Sequence, residues 1–551
     1  MTARGTGHRL LWPLILVALT LPASAQIYDL VISNGRVIDG TGNPWFNGDV
    51  AISGDRIARI APAGMLRNTP AKERIDATGM IVAPGFIDIQ GQSRMQLTVG
   101  DGRVISKVTQ GVTTEIFGEG STNAPTKTFP NPHGFDAWLR AMQKHGGSIN
   151  FGSFVGAATI REDVKGMAQG APTPAEVEEM QSLVRQAMED GAFGIGSALI
   201  YPPGNYATTE ELIAMAKAMA PFGGVYITHM RSEADHLLEA IDEAMRIGKE
   251  GGVPVEIYHL KASGVANWPK EGPMIAKITQ ARAAGQDVGA DMYPYVAGGT
   301  GLSACLPPWS AADGKLFDNL ANPEVRTKLK AEMALDNTEW ENLCKLAGPE
   351  NVLIVGLSKP ENKQYVGKRL SEIAAMQKKD PSDAAMDLIL ADHTRVETIY
   401  FLMSEDNVKM QLRQPWMKIG TDAAGLDPSQ PRNLAHPRSY GNYTRILGKY
   451  VREENVIPLE DAIRKMTSAV ARRLSIHDRG MLQEGFFADV VVFDPAKIID
   501  RATFEQPHQV SAGVIDVFVN GTAVLRDGKH TGAMPGRIVR GPGYVASEAR
   551  Q

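Results

Sequence analysis

Cysteine is scarce: only Cys305 and Cys344 occur in 551 residues. That excludes a disulfide framework, and neither cysteine has metal-ligand spacing. One bridge in an oxidising compartment stays open, but two buried thiols are the plainer reading. No basic block interrupts a net charge of −5, which argues against nucleic-acid binding. Past residue 25 no apolar run approaches the ~20 residues needed to cross a bilayer. No glycine-rich phosphate fingerprint opens a strand–helix unit, which weakens a nucleotide-binding reading. Short internal repeats and low-complexity tracts are also missing. What remains is an ordinary enzyme composition, 43% hydrophobic and 22% charged, in a chain long enough for two or three domains.

The N-terminus stands apart. Arg4 and Arg9 precede an apolar run from Leu10 to Leu21, and Ala23-Ser24-Ala25 follows with small residues at the cleavage spacing. The run is too short to span a bilayer. Residues 1–25 therefore read as a secretory signal cleaved after Ala25, giving a secreted or periplasmic product with no membrane attachment. Cleavage removes two arginines and no acid, so the mature chain is more acidic still.

Residues 26–83 read as short strands and turns. Asn34-Gly35 and Gly54-Asp55 are hairpin signals. The stretch 478–551 looks alike, with Ala488-Asp-Val-Val-Val-Phe and with Val514-Ile-Asp-Val-Phe-Val ahead of Asn520-Gly521. The two ends are expected to pair into one small β-sandwich around an inserted domain at 84–477. That domain alternates helix and strand. Thr173-Pro174-Ala-Glu176 is a capping box, Thr208 opens the next helix, and strands lead to His229 and His259. The pattern predicts a (β/α)8 TIM-like barrel, with a doubly wound open sheet as the alternative.

In a barrel the ends of parallel strands share one edge, where active sites form. His229 and His259, each closing a strand with one helix between, are placed there to bind a metal such as zinc. Asp422 ends the strand Trp416-Met-Lys-Ile-Gly-Thr and can hold metal or move a proton. Glu119, in Ile116-Phe-Gly-Glu-Gly, is either a third ligand or a solvated glutamate in a glycine turn. Lys261 follows His259 by two and is expected on the same side of its strand. Tyr201, Tyr293, Arg438 and Ser439, expected at strand ends or in loops, add hydroxyls and a cation suited to an acidic substrate group.

Several motifs together resemble the D-aminoacylase branch of the amidohydrolase superfamily. They are Ile81-Val-Ala-Pro-Gly-Phe-Ile-Asp88, Gln110-Gly-Val-Thr-Thr114, Ile200-Tyr-Pro-Pro-Gly204, Thr228-His-Met-Arg231, His259-Leu-Lys261, Asp291-Met-Tyr-Pro-Tyr295, Gly420-Thr-Asp422 and His436-Pro-Arg-Ser-Tyr-Gly441. Ala488-Asp-Val-Val-Val-Phe-Asp-Pro495 and Asn520-Gly521 match the family's closing β segment. The resemblance covers nearly all of the mature chain. It implies hydrolysis of N-acyl-D-amino acids, with His229 and His259 as tight zinc ligands, Asp422 catalytic, and Tyr201, Lys261 and Tyr293 touching substrate. The chain departs from the family in places. Gln90 and Gln92 stand where a His-x-His is expected, and Gly118-Glu-Gly-Ser121 replaces a cysteine-bearing segment. Ala157 and Gly299 replace a histidine and a serine. Neutral amides are poor ligands beside imidazole. The expectation is one zinc per chain, held by His229, His259 and Glu119, acting on a small N-acylated amino acid. A relative acting on a cyclic imide or dipeptide, and a non-hydrolysing binder, are the alternatives.

Overall fold

In the computed structural model, which describes residues 1–2, 27–336 and 339–546, the two chain ends are woven into one nine-stranded sheet. The leader expected over residues 1–25 falls almost wholly outside the described residues. The strand Tyr28–Val37 runs antiparallel to Phe46–Ser53 and parallel to Ile81–Pro84. Ile81–Pro84 in turn pairs antiparallel with Val490–Phe493, and Val514–Val519 continues the sheet. The alternating Leu30, Ile32, Val50, Ile52, Val490 and Val492 are buried together in one cluster, which explains why distant segments must meet. Gly54 and Asn520-Gly521 make the expected turns between antiparallel strands. Asn34-Gly35 does not. It lies inside the first strand as a bulge, with Asn34 at φ +62° and its N–H on the Asp49 carboxylate at 2.9 Å.

The middle of the chain supplies parallel strands with helices between them. Phe86–Asp88, Val112–Phe117 and Asn150–Ser153 form one parallel sheet. Val155–Gly156, Gly194–Ala198, Val225–His229, Val255–Ile257, Val288–Met292 and Met417–Ile419 form another, neighbouring in that order. Bonds cross between the sheets on both sides: Phe193 donates to Ser153 (3.0 Å), and Asp422 donates to the Gln90 carbonyl (2.8 Å). Every residue of these strands is buried, as parallel strands covered on both faces require. The helix Pro174–Glu189 opens with the full capping box at Thr173 and Glu176, and Thr209–Met219 opens on Thr208. Leu237–Gly251 buries Leu237, Ala240, Ile241, Ala244 and Ile247, a helical stripe, and returns the chain between the two histidine-bearing segments.

Between Val288–Met292 and Met417–Ile419 the chain makes a long excursion with its own core and a three-stranded antiparallel sheet, Ala297–Gly301, Val352–Gly356 and Glu397–Phe401. Here the cysteines depart from the thiol expectation: Cys305 and Cys344 form a disulfide, with Cα atoms 5.1 Å apart. Each is carried by a short helical turn, and packing of the excursion's core brings the two turns together. Among the described residues, no helix is long and apolar enough to cross a membrane.

Candidate metal centre

His229 closes its strand as the pattern predicts. His259 does not. Its strand stops at Ile257, and His259 sits in left-handed backbone at φ +34°. The cause is Asp291, whose carboxylate takes the His259 N–H at 3.0 Å and pulls it out of the ladder. Asp422 repeats the theme, three residues past the strand Met417–Ile419 at φ +48°. Non-glycine residues in this region store strain, and both carry chemistry-bearing side chains. Glu119 follows Val112–Phe117 between Gly118 and Gly120, both at positive φ. A Cβ on Gly118 would lie 2.5 Å from the Phe154 carbonyl oxygen, so only glycine lets the chain turn here.

These turns bring three ligand atoms to one point. His229 Nδ1 and His259 Nε2 are 2.9 Å apart, and Glu119 Oε1 lies 3.3 Å from the first and 3.1 Å from the second. A tetrahedral zinc at about 2.0–2.1 Å sets its ligand atoms about 3.3 Å apart, so the triangle fits the ion. Two neutral nitrogens and a carboxylate are also a donor set zinc accepts. The second oxygen of Glu119 accepts the Gln90 and Gln92 side-chain amides at 2.9 and 2.8 Å. Gln90 and Gln92 therefore brace the carboxylate.

The electrostatics point the same way. Burial alone would raise Glu119, but its contacts with His229 and His259 hold it well below the usual carboxylate range. Burial and Lys261 push His259 down, yet Glu233 and Glu119 outweigh them and lift it well above the ordinary imidazole range. The pocket carries excess negative charge that a cation or a proton must meet. Asp422 is raised by burial, with Arg438 opposing at 2.9 Å from Nη1 to Oδ2.

The remaining expected site residues divide. Tyr293 packs its ring against His259 (6.3 Å) and under the Arg438 guanidinium (4.6 Å). Tyr201 lies edge-on to His229 (5.5 Å) and donates to Thr300 at 2.9 Å. Lys261 reaches the cluster, but not by strand alternation, which the turn at His259 breaks. Its ammonium donates to both oxygens of Glu233 (2.7 and 2.8 Å) and lies 2.8 Å from His259 Nδ1. Arg438 and Ser439 open the helix Arg438–Arg445 rather than a loop or strand end, because His436 Nδ1 accepts the Arg438 N–H at 3.0 Å. Ser439 is buried, and its carbonyl binds Gln110 at 3.0 Å, away from the triad contacts.

Sequence reasoning missed Glu233 and Glu341. Glu233 lies four residues after His229, a spacing that could have flagged it, and its Oε1 is 3.0 Å from His259 Nδ1. Glu341 comes from the excursion, where no local pattern marks it. Burial and Glu233 push it up to about 8. A cation bound beyond His229 would act the other way, favouring its charged form.

Residues 366–525 match a family model described as Amidohydrolase family. A D-aminoacylase of Alcaligenes xylosoxydans xylosoxydans is 35% identical, over 94% of this chain and 98% of its own. Among solved structures, N-acyl-D-glutamate deacylase from Bordetella bronchiseptica, bound to zinc and a phosphonate mimic of the tetrahedral intermediate, superposes with TM-score 0.77. It is 32% identical and covers 94% of this chain and 100% of that one. A D-aminoacylase studied for one-metal activation and second-metal attenuation at a binuclear centre gives TM-score 0.78 and 34% identity, covering 93% and 100%.

Proposed function

Because the chain belongs to the D-aminoacylase family of the amidohydrolase superfamily, we propose that it hydrolyses the amide bond of N-acyl-D-amino acids with one zinc per chain. The observation that carries this reading is the Glu119–His229–His259 triangle, with ligand atoms 2.9–3.3 Å apart beside Asp422. A zinc held there supplies an acidified water and a Lewis acid for the carbonyl. The chain's own residues do the rest. Asp422 takes the proton of the attacking water and returns it to the leaving nitrogen. Arg438, buried and with Nε free of other hydrogen bonds, receives the substrate carboxylate, and Tyr293 and Tyr201 wall the acyl amino acid in. Lys261 adds its positive field from its seat on Glu233.

A single metal is supported by Gln90 and Gln92, whose neutral amide oxygens are poor ligands beside imidazole and whose N–H groups brace Glu119. The D-aminoacylase relative is described as activated by one metal and attenuated by a second, which suits a one-zinc reading here. A closed (β/α)8 barrel over 84–477, with a β-sandwich from 26–83 and 478–551, is the fold we assign. The bonds joining the parallel sheets on both sides support it. We also propose export, supported by the signal-like segment before Ala25 and the Cys305–Cys344 bridge, which suits an oxidising compartment. The test is metal content together with release of free amino acid from a panel of N-acetyl-D- and L-amino acids. About one zinc per chain and D-selective hydrolysis are expected. L-selectivity, or a zinc-loaded protein that hydrolyses no member of the panel, overturns the substrate assignment.

A further inference from the structure

Behind the metal-facing edge of His229, two buried polar atoms lack hydrogen-bond partners: His229 Nε2 and Glu341 Oε2. The side chains of His229, Glu233 and Glu341 offer ligand atoms within 4.8 Å of one another, and all three residues are more than nine-tenths buried. Glu233 is already engaged. Lys261 binds both its oxygens, and Oε1 lies 3.0 Å from His259 Nδ1, while Oε2 is 3.7 Å from His229 Nε2. Glu341 uses its other oxygen to accept the Glu233 N–H and the Ser232 hydroxyl (3.2 Å). One carboxylate thus serves His259, and a second stands beside His229.

We propose that Glu341 is a positioning residue for His229, and that the Cys305–Cys344 bridge holds it there. This role rests on the proposed metal reading, in which Nδ1 of His229 faces a cation. A bare Nδ1 requires the ring hydrogen on Nε2, and that N–H needs an acceptor. Glu341 Oε2 is a buried acceptor without a donor, on a side chain that brings a carboxylate oxygen within 4.8 Å of a His229 nitrogen, a gap that a small rotation or one bridging water closes. The segment is pinned just beyond it. Asn342 caps the helix Leu343–Ala347, and Cys344 in that helix is bonded to Cys305, 39 residues earlier. The excursion therefore lends a carboxylate to a ligand on a barrel strand.

Glu341→Gln separates positioning from scaffolding. The amide oxygen still accepts from Glu233 N–H and Ser232, which forces the NH2 toward His229 Nε2. A donor there favours the ring hydrogen on Nδ1, where the ion must sit. Zinc dissociation constants are read by chelator competition with the metal alone, beside melting of the metal-free protein. The expected result is affinity weakened roughly 10–100-fold with metal-free melting unchanged. Removing the bridge with Cys305→Ser and Cys344→Ser should weaken zinc in the wild-type background and add little in Glu341→Gln. Unchanged affinity in Glu341→Gln overturns the proposal. So does a matching fall in metal-free melting, which marks a scaffold. A second zinc equivalent in the wild type, lost alone in Glu341→Gln, overturns it in favour of a separate cation site. Equal weakening by bridge removal in both backgrounds overturns the role of the bridge. A wild type that takes up no zinc sinks the metal reading itself, and this proposal with it.

Discussion

Replacing Arg438 by glutamine removes a cation in direct contact with Asp422. The two groups are 2.9 Å apart, with side chains 6% and 14% exposed. At an effective dielectric of about 20, that separation gives about 6 kcal/mol of gross attraction, equivalent to about 4 pKa units. Lys261 and His259 still favour the charged form of Asp422, so the net effect falls in the usual range of roughly 1–3 units for a carboxylate beside arginine. The sign is fixed by chemistry. A general base works ionised, Arg438 favours that form, and its removal raises the pKa of Asp422 above its already raised value. The acid limb of kcat against pH should therefore move up by about 1–3 units, with activity lost first at low pH. The substitution also leaves a buried carboxylate unpaired, which costs about 3–5 kcal/mol of stability, and Asp422→Asn in the same chain should restore much of it. The assay is a pH–rate profile with saturating substrate, beside thermal melts. An acid limb that stays in place, or moves down, refutes the reasoning. Arg438→Lys, which keeps the charge, is the control.

Three further outcomes are expected. Glu119→Gln should reduce zinc affinity by more than the roughly 10–100-fold typical of a supporting contact, and unchanged metal content after dialysis removes Glu119 from the ligand set. Asp422→Asn should lower kcat about 10²–10⁴-fold while zinc is retained, and substantial remaining turnover rules out its proton-moving role. Lys107→Met should destabilise by about 3–5 kcal/mol in urea unfolding. Lys107 is fully buried between Asp88 (2.6 Å), Thr421 (2.6 Å) and Glu115 (3.4 Å), and a loss under about 1 kcal/mol would mean this network is not a compensated ion cluster.

Much of this was readable from residue patterns, and the failures have physical causes. Strand identity, the capping box at Thr173 and the end placement of His229 are local properties, set by side-chain period and caps. The backbone of His259 is set by Asp291, 32 residues away, so a reading of His259 as the end of a strand could not detect the turn. Asn34-Gly35 has turn chemistry, but Asp49 captures the Asn34 N–H and keeps the pair inside a strand as a bulge. Glutamines 90 and 92 are visible in the sequence, yet their bonds to Glu119 depend on the packing of a neighbouring strand. The pairing of Cys305 with Cys344 and the arrival of Glu341 both depend on how the long excursion folds, which no local spacing encodes.

The sheet built from both termini has a consequence for synthesis. The strand Ile81–Pro84 waits for Val490–Phe493, about 400 residues later. At roughly 5–20 residues per second, a ribosome leaves that edge without its partner for about 20–80 seconds. A bare strand edge invites pairing with other nascent chains, so yield in a foreign host should depend on how well holdase chaperones shield the early segment.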